Sequence, residues 1–356
     1  MRKAVSLVVL CLVVLLSAPC PAREKTYRVE VLQVTGLEEL QEIYDGFLRE
    51  LEDNGLVQGR NLQVNRTIID FDMENGSWSR KLKVYWAIRD QASRIAREKP
   101  DLVLTMGMPV TQHARDKITA AGIPLVFTAL AYPAKVGCRS LTEAGPGFTG
   151  STTWMDMKEA LRIVRTALPG VKTFGMVHSE YSGSSNHVED VLREGPAAGL
   201  TFLTKTVRMK DRITPALKEL QASGIQAVMV PSDPYYGLRD YEAARELMEF
   251  SKKTRMPVVS LVRDRFLGSI LDVCVEFRTT GALAGSQAVR ILKEGAKPES
   301  LPVVRQQGLT VMANAKNALS LGIVLPPAFL QTARPADAEP RHGDPAAKGA
   351  PKDGRG

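Results

Sequence analysis

The chain has 356 residues, 44% of them hydrophobic, 24% charged and 6% aromatic, with a formal net charge of +8. That length is too great for one small core and suits two lobes. Basic residues are dispersed among acids, as in Arg80, Lys81 and Lys83 or Lys252, Lys253 and Arg255. No basic stripe interleaved with aromatics forms, which argues against nucleic acid as a partner.

The N-terminus carries the first signal. Arg2 and Lys3 precede an apolar run from Val5 to Leu16, and small residues follow to Ala22. This pattern predicts a signal peptide over residues 1–22, cleaved after Ala22, with Cys20 and Ala22 at the small −3 and −1 positions. The run is short for a membrane span, so an uncleaved anchor is the lesser alternative. Pro19 stands where a lipid-attachment box wants a small residue. The remainder is expected in the periplasm or otherwise exported, which removes most of the case for nucleotide or nicotinamide chemistry. Loss of Arg2 and Lys3 lowers the net charge from +8 to +6. Cys138 and Cys274 remain, and they read as buried apolar residues rather than a bridge. His113, His178, His187 and His342 never take a helical zinc spacing, so neither metal nor cofactor is expected.

From Thr26 onward strand and helix alternate. Tyr27–Val34 is rich in β-branched residues. Leu37, Leu40, Ile43, Tyr44, Phe47, Leu48 and Leu51 then recur at helical spacing. Leu62–Phe71 reads as a strand, Trp78–Ala96 as a long helix, and Asp101–Gly107 as a buried strand ending in a glycine turn. Pro109 suits the start of the next helix, and Ile123–Leu130 is another strand. After a turn-rich stretch at Gly145–Thr152 the alternation resumes: helix Met157–Leu168 capped by Asp156, strand Phe174–His178 and helix Asn186–Glu194 behind a Ser/Gly turn. Strand Thr201–Val207, helix Ile213–Ala222, strand Ala227–Pro231, helix Tyr241–Lys253 and strand Pro257–Val262 follow. The fold class is therefore α/β, two doubly wound parallel-sheet lobes joined by a hinge. A helix within Phe277–Leu292, an extended Leu301–Val311 and a short helix at Ala313–Leu321 are expected to complete the two sheets. From Arg334 onward 13 of 23 residues are Pro, Ala or Gly, which predicts a disordered tail over 334–356.

In open parallel sheets ligands bind beyond the carboxyl ends of the strands. The loops there nominate Thr35 and Gly36, Gly107 and Met108, Thr128 and Tyr132 in the first half. In the second half they nominate Tyr181, Ser184 and Ser185, then Ser232, Asp233 and Tyr235, then Arg263 beside Asp264. Free N–H groups and hydroxyls at helix starts can hold an anion. Asp233 can accept from an ammonium or a hydroxyl, and the tyrosines can cover a ring. Each is equally what a loop or helix cap uses for its own structure. No Gly-x-Ser-x-Gly elbow or His/Cys cluster points to an enzyme. His178 and Glu180 near Ser184 match no mechanism.

Several stretches resemble one family. Gly46–Gly55 with Gly59-Arg-Asn61, Asp101–Gly107, Ile123–Thr128, Gly147-Phe-Thr-Gly150, Leu292–Gly295 with Leu301-Pro302, and Asn314–Pro326 are similar in order and spacing to the periplasmic substrate-binding proteins of ABC transporters. The subgroup is the one that includes tryptophan- and tyrosine-type binding proteins. The resemblance runs from about Val29 to Ala333. It implies a type I periplasmic-binding fold that closes two lobes over a small molecule and presents it to an ABC permease, with a sensor or chemoreceptor as the alternative listener; a monomer is expected. It implies lobe 1 over 27–149 plus 278–304 and lobe 2 over 150–277 plus 305–332, with crossings near Gly150–Thr152, Val275–Arg278 and Val304–Gly308. The chain departs from the family at its loops. Tyr132 precedes Pro133 where the family has Asp, Met108 replaces a threonine, and Phe148 replaces an asparagine. An amino acid or a small aromatic or carboxylate compound is the expected ligand class.

Overall fold

The computed structural model describes residues 25–69, 78–263 and 268–336. The expected signal segment, Asp264 and the tail beyond Ala336 lie outside the described residues. Two sheets organise the chain. The first has six strands, β1 (Tyr27–Gln33), β2 (Leu62–Ile68), β3 (Leu102–Met106), β4 (Leu125–Thr128), β5 (Phe148–Thr152) and β11 (Val304–Arg305), in the order β2-β1-β3-β4-β5-β11. The second has β6 (Thr173–Ser179), β7 (Thr201–Val207), β8 (Ala227–Val230), β9 (Val258–Ser260), β10 (Leu271–Cys274), β12 (Thr310–Ala313) and β13 (Arg334–Pro335), in the order β7-β6-β8-β9-β10-β12-β13. Every pairing is parallel except β10 with β12. The central strands β3, β4, β8 and β9 are buried throughout, as strands covered on both faces must be.

Helices cover both faces of each sheet. In the first lobe these are α1 (Glu38–Asp53), α2 (Trp78–Glu98), α3 (Met108–Ala120) and α8 (Phe277–Glu294). In the second they are α4 (Met157–Ala167), α5 (Ser182–Glu194), α6 (Thr214–Ala222) and α7 (Leu238–Thr254), with short α9 (Ala315–Ser320) and α10 (Pro327–Leu330). Asp156 caps α4 by accepting from Glu159 N at 3.2 Å. α8 returns from the second sheet to pack against α1, and the approach is close enough to demand glycine. A Cβ at Gly281 would stand 1.8 Å from the Ile43 carbonyl oxygen, and one at Gly46 would stand 2.1 Å from that of Arg278. Ile43, Phe47 and Leu51 of α1 are thereby buried, each contributing about 1.5–3 kcal/mol by leaving water.

The chain passes between the lobes three times: Thr153–Asp156 after β5, Val275–Glu276 between β10 and α8, and Gln306–Leu309 between β11 and β12. The third crossing braces the others. The Arg305 guanidinium lies 4.3 Å from the Trp154 ring centre, and Gln306 Oε1 accepts from Glu276 N at 2.9 Å.

Three sequence expectations shift. α5 begins at Ser182, a turn before Asn186, so Ser184 and Ser185 belong to the helix and not to a loop ahead of it. The tail expected from Arg334 starts later, because Arg334–Pro335 pair with Met312–Ala313, and Arg334 Nη1 donates to Glu276 Oε1 at 2.8 Å. The extended segment expected over Leu301–Val311 is divided between two strands in different sheets. Cys138 and Cys274 are both buried and free; burial pushes the Cys138 thiol up to about 12. Among the described residues no helix is long and apolar enough to cross a membrane.

Candidate ligand-binding cleft

The carboxyl ends of both sheets face one another across a cavity of 310 Å³. Strand order reverses between β1 and β3 in one lobe and between β6 and β8 in the other, and the loops at these points open into the cavity. Thr35, Gly107, Met108 and Tyr132 line it from the first lobe, and Tyr181, Ser232, Asp233 and Arg263 from the second. Met106, Leu130, Met155, Leu261, Val275 and Phe277 supply an apolar floor near the crossings.

The other nominated residues lie elsewhere. Gly36 is exposed outside the cavity. Thr128 is fully buried in the sheet, where its hydroxyl meets Ser151 Oγ at 2.8 Å. Tyr235 is buried beneath the cleft wall and its hydroxyl donates to the Asp211 carbonyl at 2.7 Å, while the neighbouring Tyr236 faces the cavity. Ser184 is fully buried and does not line the cavity. The Ser185 hydroxyl turns back to the Tyr181 carbonyl at 3.3 Å. The common reason is direction: side chains on a helix or strand end alternate between ligand side and core, and the sequence names the turn without naming its face.

Asp233 lines the cleft, yet its carboxylate also serves the fold. Oδ2 accepts from Ser179 N at 2.6 Å, and Oδ1 accepts from Ser179 Oγ and Tyr235 N, both at 2.9 Å. It thus ties the ends of β6 and β8 together and caps the turn at Pro234–Tyr236.

Among the described residues, hydrogen bonds cross the cleft at Tyr132 with its neighbour Lys135 and at Tyr241. Tyr132 donates to Asp190 Oδ2 at 2.6 Å, and nearby Lys135 Nζ donates to Asn186 Oδ1 at 2.7 Å. Burial, reinforced by the bond to Asp190, raises the Tyr132 phenol above its ordinary range. Elsewhere Tyr241 donates to Glu38 Oε2 at 2.6 Å. Tyr241 ends a run of three left-handed residues, Arg239, Asp240 and Tyr241, with φ of 52°, 50° and 59°. Such backbone costs roughly 1–2 kcal/mol per residue outside glycine, and here it accompanies a contact between lobes.

Loop composition did not point to several cleft residues: Glu38, Glu39 and Glu42 on α1, Tyr241 on α7 and His187 on α5. The spacing of Glu38 and Glu42, and of Gly183 and His187, puts each pair on one helix face. That was readable once the loop before each helix was taken as a cleft loop. His187 is 6% exposed, and its Nδ1 accepts from Ser232 N at 3.1 Å. Burial lowers its pKa to about 4, against the opposing pull of Asp190.

Two doubly wound lobes, three crossings and a cavity between the strand ends define a two-lobed solute-binding protein. The chain belongs to the ABC transporter substrate binding protein family, whose profile matches residues 28–336. A tyrosine-binding protein of Clostridioides difficile (strain R20291) is 20% identical over 294 residues, covering 82% of this chain and 79% of that protein. Two solved structures share the fold. A conserved domain protein of Vibrio cholerae superposes with a TM-score of 0.69 at 22% identity, over 87% of this chain and 99% of that one. An ABC domain from Streptococcus pneumonia in complex with L-Trp gives 0.69 at 21%, also over 87% and 99%. The family resemblance and the two-lobed α/β fold expected from sequence are thereby established, and with them the role of solute-binding subunit.

Proposed function

We propose that this protein is exported, freed of its signal peptide after Ala22, and acts as the monomeric binding subunit of an ABC importer whose ligand is an aromatic amino acid or a small aromatic carboxylate. The observation that carries this reading is the 310 Å³ cavity between the lobes, with its apolar floor of Met106, Met155 and Phe277 and its tyrosine-rich walls. Cavities of this size suit small molecules buried on most sides. The tyrosine-binding and L-Trp-bound relatives support the aromatic class. Closure follows from linkage: only the closed state offers a ligand contacts from both lobes, so binding shifts the population toward it. A membrane permease then reads the closed form. The family binds and does not transform its ligands, so turnover is not expected.

The test is a thermal-shift screen of the exported chain against amino acids and small aromatic acids, followed by calorimetry. A ligand at a hundred times its dissociation constant adds about 2.7 kcal/mol to stability. A saturable aromatic hit recovered unchanged supports the reading. Conversion of the ligand, or selective binding of sugars, refutes it. N-terminal sequencing of the exported protein tests cleavage: Arg23 as first residue is expected.

A further inference from the structure

We propose that the outer face of α2, centred on Leu82 and Trp86, is a membrane-docking surface that seats the first lobe on anionic lipid headgroups. The inference concerns a face outside the cleft and does not depend on the ligand class.

Exposure and spacing supply the first part of the argument. Ile88, Ala92 and Ile95 of α2 are buried in the core of the first lobe. The opposite side of the helix turns to solvent, where polar residues are the rule. At Leu82 and Trp86 that side is apolar instead. Trp86 is 58% exposed and Leu82, one turn earlier, is 37% exposed. Among the described residues Trp86 is the only exposed aromatic side chain. Single apolar residues scattered on a surface are ordinary, but two at i and i+4 form one patch. The indole is also braced. The Tyr85 ring meets it edge-on at 5.3 Å, and Tyr85 in turn packs against the His113 ring at 5.0 Å and the Arg89 guanidinium at 5.6 Å.

Charge names the occupant. Lys83, Arg89 and Arg97 are exposed on α2, and Asp90 is the one acid between Lys83 and Arg97. Arg94 is committed to Glu30 at 2.7 Å and to Glu98 at 2.6 Å. Lys83 and Arg97, by contrast, have no carboxylate partner among the described residues. Dispersed along the sequence, these cations are gathered by the helix around an indole and a leucine side chain. A basic helix face with tryptophan at its centre matches the membrane interface. The apolar pair enters the headgroup region, while the long Lys and Arg stems let their charges meet lipid phosphates. The whole chain carries a formal net charge of +8, or +6 without Arg2 and Lys3, which favours an anionic surface over a neutral one. An apolar centre of two side chains is small against the roughly 800 Å² per partner of a stable protein interface, and suits reversible adsorption.

Position gives the patch a use. α2 joins β2 to β3, and both strands run parallel to β1, so the helix runs back against them. Its first half, with Leu82 and Trp86, therefore lies toward the carboxyl ends of the strands, where the cleft opens. Adsorption through this face holds the cleft end of the first lobe near the bilayer, and turns a search for a membrane partner into one along a surface.

The experiment is co-sedimentation of the full exported chain with vesicles of phosphatidylcholine alone, or of phosphatidylcholine with about 30% phosphatidylglycerol, at about 50 mM and about 500 mM salt. Native membranes, before and after protease treatment, are a third surface. Binding to the anionic vesicles at low salt is expected to exceed binding to neutral ones roughly tenfold, and to fall by a similar factor at high salt. Leu82→Ser combined with Trp86→Ser, and separately Lys83→Glu combined with Arg97→Glu, are each expected to weaken it by roughly fivefold or more. Lys252→Glu combined with Lys253→Glu, at exposed positions of α7, makes the same change in net charge elsewhere and is expected to stay within about twofold of wild type. Absence of binding to anionic vesicles at low salt overturns the proposal. So does an equal loss in the α2 and α7 charge variants, which would leave net charge as the whole cause, and so does full binding by the folded Leu82 and Trp86 variant. Should that variant not fold, the two charge variants still decide the matter. Binding to native membranes that protease treatment abolishes, without binding to pure lipid, assigns the face to a membrane protein and likewise overturns the proposal.

Discussion

The phenol of Tyr132, in the loop after β4, donates a 2.6 Å hydrogen bond to Asp190 on α5, and so joins the two lobes across the mouth of the cleft. Asp190 is also paired with Arg193 on its own helix, which holds the carboxylate in place for Tyr132. The bond exists only while the lobes are together, because its partners belong to different sheets.

Tyr132→Phe should therefore loosen closure without unfolding either lobe. A hydrogen bond to a charged group contributes about 1.5 kcal/mol at the low end, so ligand affinity should fall roughly tenfold. Small-angle scattering should show a larger radius at subsaturating ligand, with the melting temperature of the ligand-free protein nearly constant. Tyr241→Phe, which breaks the bond to Glu38, should act similarly, and the two losses should add within about 0.5 kcal/mol if the contacts are independent. A drop in melting temperature with unchanged affinity would mean these bonds hold the fold and not the closed state.

The α1–α8 contact makes a different prediction. Gly281→Ala forces a methyl against the Ile43 carbonyl and Gly46→Ala forces one against that of Arg278. The obstacle in both cases is backbone, which cannot swing aside. Each change should cost at least 1–3 kcal/mol in urea denaturation, the usual range for overpacking. Gly36→Ala meets nothing within 4 Å and should be neutral by the same measurement.

Acid should act through His187. Its folded pKa is depressed to about 4 by burial, while the unfolded value lies near 6.5. Both states are neutral above pH 7, so the group is silent there. As pH falls below 6.5 the unfolded chain takes up a proton that the folded chain refuses, and stability drops until about pH 4. At pH 5 the loss amounts to about 2 kcal/mol. Asp190, the charge facing the ring, works against the shift but does not cancel it. Urea titrations at pH 7 and pH 5 on wild type and His187→Gln should show the extra acid sensitivity in wild type alone.

Asp233→Ala separates structure from binding. The substitution leaves Ser179 N and Tyr235 N without their acceptor, both in buried positions. A stability loss of about 3 kcal/mol is expected from these lost contacts, visible in the melting temperature without ligand. An unchanged melting temperature would show that the carboxylate is held for ligand and not for the fold.

The alternation of β-branched runs with helical apolar spacing was sufficient to read a doubly wound α/β chain, because periodicity is a local property that burial on two faces writes directly into each segment. The same holds for the cap at Asp156 and for the glycine turn at Gly107, whose φ of 98° favours a residue without a side chain. Local pattern also located the loops at the strand ends, and so the neighbourhood of Thr35, Tyr132, Tyr181 and Asp233. Which side chains of those loops meet the cavity depended on the docking of one lobe against the other. Tyr235 and Tyr236 are adjacent, chemically identical and both buried, yet Tyr236 borders the cavity and Tyr235 does not. Glu38 and His187 sit on helices that look ordinary alone, and Tyr241 sits at a left-handed break in α7. They became cleft residues because α8 returns to α1 and the crossings at Trp154, Glu276 and Gln306 set the lobes face to face. Sequence near a residue fixes its secondary structure; its partners 58 and 203 positions away, as for Tyr132–Asp190 and Glu38–Tyr241, are chosen by packing over the whole molecule.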